Sequence, residues 1–365
     1  MPRRLISLVK RMKEGTLTPR RLMNRLVLDL DEQMKSEFIH AYPGSLIIET
    51  INACNSTCKL CPVGEGRRSR PVRTLDMHTY CRFIDELGPY AESVTLNNWG
   101  EPLLDRYLVE RIRYAARIGL LTGISSNLQH LTDAAAEDLV TSGLTVIYIS
   151  LHAASQETYE AYQPGRSFSR VLENVRKLVN ARRRNRDRAP KLKALFVHSR
   201  KNEHEIATLP DFVRTLGIDG FQVVPISLNG RFIWSDLQMA DRGLSEEQFC
   251  QELVERAAKW LPKADFITLN KSFPPPNKQR TCDRLWRAGV LNSDGSIAPC
   301  CDVFRPENDF GHYVPDRPFR EVWNNEKFRV ARRSFRTLSP AQPATICSGC
   351  PGHDSTEKWR NPIRF

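Results

Sequence analysis

From Pro43 to Pro225 the sequence alternates six times between a short apolar run and a segment of helical period, and this rhythm limits the fold more than any other feature of the chain. The strand-like runs are Leu46–Thr50, Ser93–Asn97, Leu121–Ser126, Val146–Leu151, Lys193–Val197 and Phe221–Pro225. Between them lie the helical patterns Met77–Leu87, Tyr107–Ile118, Asp133–Ser142, Phe168–Ala181 and Glu203–Leu216. Strands joined through helices do not pair as tight hairpins, so the pattern predicts α/β architecture: a parallel sheet with right-handed crossovers. A partial barrel and an open doubly wound sheet both satisfy it, and both place ligands at the carboxyl ends of the strands.

The end of the first strand carries the most specific chemistry. Cys54-Asn55-Ser56-Thr57-Cys58-Lys59-Leu60-Cys61 puts three thiols in eight residues on a loop. Three thiolates at these gaps suit three irons of a 4Fe–4S cube and leave the fourth iron open for a substrate or cofactor. A closed zinc site needs four ligands, and no fourth Cys or His lies near this loop. After the second strand comes Asn98-Trp99-Gly100-Glu101-Pro102.

The Cys-x3-Cys-x2-Cys loop and the Gly-Glu-Pro segment together resemble the radical S-adenosylmethionine (SAM) enzymes, and the resemblance covers most of the chain. It implies a partial (β/α)6 barrel. It also implies that Cys54, Cys58 and Cys61 hold a cluster whose open iron chelates SAM, and that Gly100, Glu101 and Pro102 bind the SAM amino group. Trp99 departs from the family here, where Gly is commoner. Ser126 and Asn127, ending the third strand, offer polar groups for ribose hydroxyls. Ser150 and Arg166, after the fourth strand, match the Ser and Arg that hold the SAM carboxylate in related enzymes. Each of these loop residues could instead cap the following helix. The chemistry implied is reductive cleavage of SAM to a 5′-deoxyadenosyl radical that abstracts an unactivated hydrogen, with electrons from a reductant such as flavodoxin or ferredoxin.

The chain's 365 residues exceed the usual size of one core, which predicts a large and a small domain. The expected division is a helical extension over 1–42, the barrel over 43–240, a linker over 241–278 that includes Phe273-Pro274-Pro275-Pro276, and a second metal domain over 279–365. The extension has apolar positions at helical spacing (Leu5, Leu8, Val9, Met12) and packs, on this reading, against the barrel. No apolar run approaches the ~20 residues of a membrane span. Ten cysteines then suggest metal ligands in a reducing cytoplasm rather than disulfides. The net charge of +12 permits an anionic partner, but the arginine blocks lack interleaved aromatics, so nucleic acid is not the expected one.

The remaining cysteines form a second constellation. Cys282, Cys300, Cys347 and Cys350 offer four thiolates, with an Asp294-Gly295 hairpin turn before Cys300. By ligand count alone, four-thiolate zinc fits as well as a second 4Fe–4S cluster. Thr281-Cys282, Pro299-Cys300-Cys301-Asp302, Val322-Trp323-Asn324-Asn325 and the final Cys-x2-Cys are similar to the SPASM/twitch auxiliary-cluster domains of radical SAM enzymes, the single-cluster form being closest to the cyclitol (2-deoxy-scyllo-inosamine) dehydrogenases of aminoglycoside biosynthesis. Whether Cys300 or Cys301 is the ligand stays open, with Cys300 favoured.

The expectation is therefore an oxidoreductase acting on a small polar molecule, a cyclitol, aminosugar or nucleoside, with the auxiliary cluster accepting one electron as an alcohol becomes a ketone. An epimerase would instead need a thiol to return hydrogen, from Cys301 or Cys250. His152, Arg231, Trp234 and Asp236 are candidates at the barrel mouth. Two further readings compete: modification of a ribosomal peptide, and a zinc-stapled protein that binds nucleic acid without catalysis.

Overall fold

The computed structural model describes residues 17–59, 61–66, 69–185, 189–199, 201–225, 282–336, 345–348 and 350. Cys250, Arg231, Trp234, Asp236, the first part of the N-terminal extension and the expected linker lie outside them. Six strands run in parallel and in chain order: β1 (Ser45–Ile48), β2 (Ser93–Thr95), β3 (Leu121–Ser126), β4 (Val146–Ser150), β5 (Lys191–His198) and β6 (Gly220–Pro225). This is the expected α/β partial barrel. On the far side of β1 the sheet continues through β7 (Ala288–Leu291), parallel to β1, and then antiparallel β8 (Ser296–Ala298) and β9 (Gly311–His312). β1, which delivers the cysteine loop, thus lies between β2 and the C-terminal hairpin.

Alternation sorts the two faces of the sheet. Leu46, Ile48, Val94, Leu96, Ile124, Ile147, Ile149, Leu192, Ala194 and Phe196 are buried in one core with the helices. Their helical partners include Tyr80, Phe83 and Ile84 of α2 (Met77–Leu87), Ile112 of α3 (Leu108–Arg117), Leu139 of α4 (Asp133–Thr141) and Val175 and Leu178 of α6 (Phe168–Arg184). Thr95, Ser125 and Lys193 occupy the opposite, half-buried face.

The N-terminal helix α1 (Pro19–Gln33) begins where Thr18 accepts the Arg21 N–H at 3.2 Å and Pro19 fills the first turn. Its inner face does specific work. The Arg21 guanidinium donates to Gly88 O (2.9 Å), Ile118 O (2.9 Å) and Gly119 O (2.6 Å), the unsatisfied carbonyls at the ends of α2 and α3. Met23, Leu26, Leu30 and Met34 stay exposed.

One helix differs from the sequence pattern. The run Glu203–Leu216 splits into a 3-10 turn over Glu203–Thr208 and α7 (Leu209–Leu216), because Pro210 lacks the N–H and crowds the carbonyl four residues back. After β9 come two helices, α9 (Phe319–Trp323) and α10 (Glu326–Arg333), the second started by Asn325, whose side chain accepts the Phe328 N–H. A helix not foreseen, α5 (Gln156–Tyr162), follows β4 behind its cap Ser155. A short helix α8 (Arg284–Arg287) leads into β7.

Candidate active site

The cysteine loop leaves β1 through Glu49–Ile51 and is seated backbone to backbone on the loop after β2. Glu101 N–H donates to Ala53 O at 2.8 Å. A Cβ on Gly100 would stand 1.9 Å from Ile51 O and 2.9 Å from Ala53 O, so only glycine permits this approach. Gly64 plays the same part where the loop returns, since a Cβ there would lie 2.5 Å from the Cys58 N and O.

Polar groups brace the loop from below. The Ser56 hydroxyl donates to Gln163 Oε1 at 3.3 Å, which also accepts the Tyr159 hydroxyl at 3.1 Å, while Gln129 Nε2 donates to Tyr159 at 2.8 Å. Gln163 and Ser56 are buried. Thr57 donates to Pro164 O and the Lys59 N–H to Tyr162 O, so α5 and the turn after it form the floor. None of Gln129, Tyr159 and Gln163 stands out in the sequence, because a floor residue needs only to be polar and nearby.

Burial pushes the Cys54 thiol up to about 11, and it raises Cys58 and Cys61 as well, with neighbouring thiols adding to the rise at Cys54 and Cys58. Three thiols crowded in a dry loop resist ionising alone. A cationic centre bound to them reverses that preference. Arg166 acts in the same sense on Cys54, and its Nε is buried without a hydrogen-bond partner. A buried donor left open beside the cysteine loop fits a carboxylate.

Glu101 itself faces inward. It is 3% exposed and accepts Ser126 Oγ (2.7 Å), the Asn127 N–H (2.8 Å) and the Leu103 N–H (3.1 Å). Burial nevertheless pushes its carboxyl above the usual range. The Ser126 hydroxyl also accepts the Leu128 N–H, and Asn127 bonds Asn55 Oδ1 at 2.8 Å and Gln129 N–H at 2.9 Å. Glu101, Ser126 and Asn127 thus tie the ends of β2 and β3 to the cysteine loop. Pro102 opens the short 3-10 turn after Glu101. At the adjoining strand end Ser150 is half-buried, with Ser125 Oγ 3.4 Å from its own hydroxyl.

His152 follows the end of β4. It is 5% exposed, with φ +57°; its Nδ1 accepts the Val197 N–H at 3.2 Å, and its carbonyl accepts Asn202 Nδ2 at 2.7 Å. Burial lowers its pKa to about 3, which keeps the ring neutral. It pins the end of β4 to β5, and its ring packs 4.5 Å from that of Tyr162.

The second site lies across β1. Cys282, Cys300, Cys347 and Cys350 are all buried. Ile346 packs on the main core that contains Cys282 and Cys347, and also on the smaller cluster of Val290, Ala298, Cys300 and Val303, so the final turn sits beside the hairpin. Cys301 is engaged by its neighbours: Arg284 Nη1 donates to its sulfur, and its thiol lies 3.7 Å from Asp302. Burial pushes this thiol up to about 12, with Arg284 pulling the other way. Burial also opposes the Arg284 charge, but Cys301, Asp302, Cys300 and Cys282 together hold it above its ordinary range.

Two further residues lock the sites together. Glu49, buried at the end of β1, accepts the Trp99 N–H at 3.3 Å on one oxygen and both the N–H and hydroxyl of Ser293 on the other. Arg70 crosses from the cysteine loop's return to Asp294 (2.8 Å) and Asp309 (2.6 Å). Trp99, the position that departs from the family, donates Nε1–H to Val303 O at 3.1 Å and packs edge-on against Phe304.

Residues 48–212 match the Radical SAM superfamily and residues 282–351 an iron–sulfur cluster-binding domain, SPASM. A probable GTP 3′,8-cyclase of Saccharolobus islandicus is 24% identical over 273 residues, 72% of this chain and 83% of the relative. A tungsten-containing aldehyde ferredoxin oxidoreductase cofactor-modifying protein of Pyrococcus furiosus is 21% identical over 328 residues, 86% and 88% of the two chains. Among solved structures, Streptococcus suis SuiB bound to precursor peptide SuiA superposes with a TM-score of 0.60 at 17% identity, covering 87% of this chain and 72% of that one. At this identity the superposition speaks for the fold. The chain thus carries a radical SAM domain. More particularly, that domain is followed by a SPASM domain, and the cofactors of the two are SAM, the SAM-binding 4Fe–4S cluster and an auxiliary iron–sulfur cluster. The zinc-stapled, non-catalytic reading gives way on these matches. No helix among the described residues is long and apolar enough to cross a membrane.

Proposed function

We propose that this enzyme dehydrogenates an alcohol carbon of a small polar substrate of the cyclitol, aminosugar or nucleoside kind, in the cytoplasm and with a flavodoxin- or ferredoxin-type reductant. Cys54, Cys58 and Cys61 hold the SAM-binding cluster, and Cys282, Cys300, Cys347 and Cys350 the auxiliary one. When bound, these groups supply hydrogen-atom abstraction at carbon and a sink for one electron, so the alcohol loses a hydrogen atom, an electron and its hydroxyl proton to become a ketone.

The chain's own residues set the geometry. Arg166 offers its open guanidinium edge to the SAM carboxylate, and the backbone around Gly100 and Glu101 offers acceptors to the ammonium. The inward bonds of Glu101 hold that backbone against the cysteine loop, so the donors and acceptors are placed before SAM arrives.

The observation that carries dehydrogenation over epimerisation is the state of Cys301. Its sulfur is engaged by Arg284 and lies against Asp302. The other four cysteines of this domain are buried ligand candidates. A hydrogen-returning thiol must face the substrate, and Cys301 is turned to its neighbours instead.

The test is turnover in deuterated water with panels of cyclitols, aminosugars and nucleosides. The expected product is lighter by one hydrogen pair and carries no carbon-bound deuterium. An isomer with one carbon-bound deuterium, lost in Cys301→Ala or Cys250→Ala, would establish the epimerase, and turnover of peptides alone would establish peptide modification.

A further inference from the structure

We propose that Arg284 sets the reduction potential of the auxiliary cluster, raising it so that the cluster can take an electron from the barrel. The inference rests on Cys282, Cys300, Cys347 and Cys350 being the auxiliary ligands. Arg284 opens α8 two residues after Cys282, and its side chain is only 21% exposed. Its Nη1 donates to the Cys301 sulfur and lies 3.5 Å from Asp302 Oδ1, so the guanidinium is fixed beside the Cys300-Cys301 pair rather than swinging in solvent.

A guanidinium keeps its charge at every accessible pH. A four-iron cluster on four thiolates is an anion, and reduction adds another negative charge without a proton. The potential of such a cluster follows its net surroundings of charge, hydrogen bonds toward sulfur and exclusion of water. A positive charge held in a poorly solvated pocket stabilises the reduced form more than the oxidised one. Asp302, 3.5 Å from the same Nη1 and 3.7 Å from the Cys301 sulfur, opposes it, so the two residues form a pair acting in opposite directions on one equilibrium.

That opposition makes the test specific. The reconstituted full-length enzyme is titrated under EPR, and the auxiliary signal is resolved in the variant with Cys54, Cys58 and Cys61 changed to Ala. Arg284→Met is expected to shift the one-electron reduction equilibrium at least tenfold toward the oxidised form, about 59 mV downward. Arg284→Lys is expected to retain part of the wild-type potential, and Asp302→Asn to move the midpoint upward, all with wild-type iron content. A purely structural residue would lower cluster loading without moving the midpoint of what remains. An unmoved midpoint in loaded Arg284→Met, or a downward shift in Asp302→Asn, would overturn the proposal. Should Arg284→Met fail to load, the lysine and asparagine variants decide it. The ligand assignment is judged separately: if Cys282→Ala keeps the auxiliary signal, it is the assignment that fails.

Discussion

Replacing Gly100 with Ala should displace the cysteine loop as a unit, and the structure says by how much. The new Cβ would meet Ile51 O at 1.9 Å, while real Cβ atoms essentially never come within 3.0 Å of a neighbour, so one backbone must retreat by about 1 Å. The loop is not free to yield gently. It is tied by Glu101 N–H to Ala53 O (2.8 Å), by Leu75 N–H to Thr50 O (2.8 Å) and by the bridge between Ile51 and Thr74. Overpacking of this kind costs typically about 1–3 kcal/mol, and losing the Glu101–Ala53 bond adds about 1 kcal/mol. The catalytic cost is larger, because a misplacement of about 1 Å lowers a positioned reaction on the order of 100-fold. The assay is 5′-deoxyadenosine formation from SAM under a strong reductant, with iron and sulfide counted on the same sample. Gly220→Ala serves as the control, since a Cβ there meets nothing within 4 Å. Wild-type cleavage and iron content in Gly100→Ala would refute the claim that this contact seats the loop.

Further outcomes follow from the same geometry. Arg166→Met should weaken SAM binding at least tenfold, read by equilibrium dialysis, while both clusters stay loaded; loss of iron instead would make Arg166 structural. Arg70→Ala strands Asp309, which is only 6% exposed, and should cost about 3–5 kcal/mol in urea unfolding, partly recovered by adding Asp309→Asn. His152 has a folded pKa depressed to about 3 against an unfolded value near 6.5, so the unfolded chain binds the extra proton between those values. Its contribution to stability is therefore complete above about pH 6.5 and is lost as pH falls toward 3. Unfolding measured from pH 7.5 down to 5 should show His152→Asn destabilised most at the upper end and progressively less toward acid; a pH-independent difference would contradict the buried neutral ring.

Much of this architecture was legible in the sequence because it is local. Each of the six strands lies where its apolar run is written, and the Asp294-Gly295 turn joins β7 to β8 as its composition implies. The cysteine loop and the Gly-Glu-Pro segment could be read because their residue types are rare and their spacing specific. The parallel pairing of β1 with β7 could not, since Leu46 and Gly289 are far apart in the chain and nothing local marks a strand's neighbour. The direction of a polar side chain was equally hidden. Ser126 and Ser150 both end strands, yet one is buried in a hydrogen bond to Glu101 and the other stays half open beside Ser125. The positive φ and burial of His152 leave no mark in sequence, and Arg284, Glu49 and Arg70 matter only through partners that folding brings to them.

The most direct test of the account is the comparison of the wild-type chain with Cys54, Cys58 and Cys61 together changed to Ala, both purified and reconstituted without oxygen. Iron, acid-labile sulfide and reductant-dependent 5′-deoxyadenosine are measured on each. The expected result is that the triple variant keeps about half the iron, one of two four-iron clusters, and forms no 5′-deoxyadenosine. A triple variant that still cleaves SAM, or a wild-type chain that carries zinc without sulfide, would contradict it.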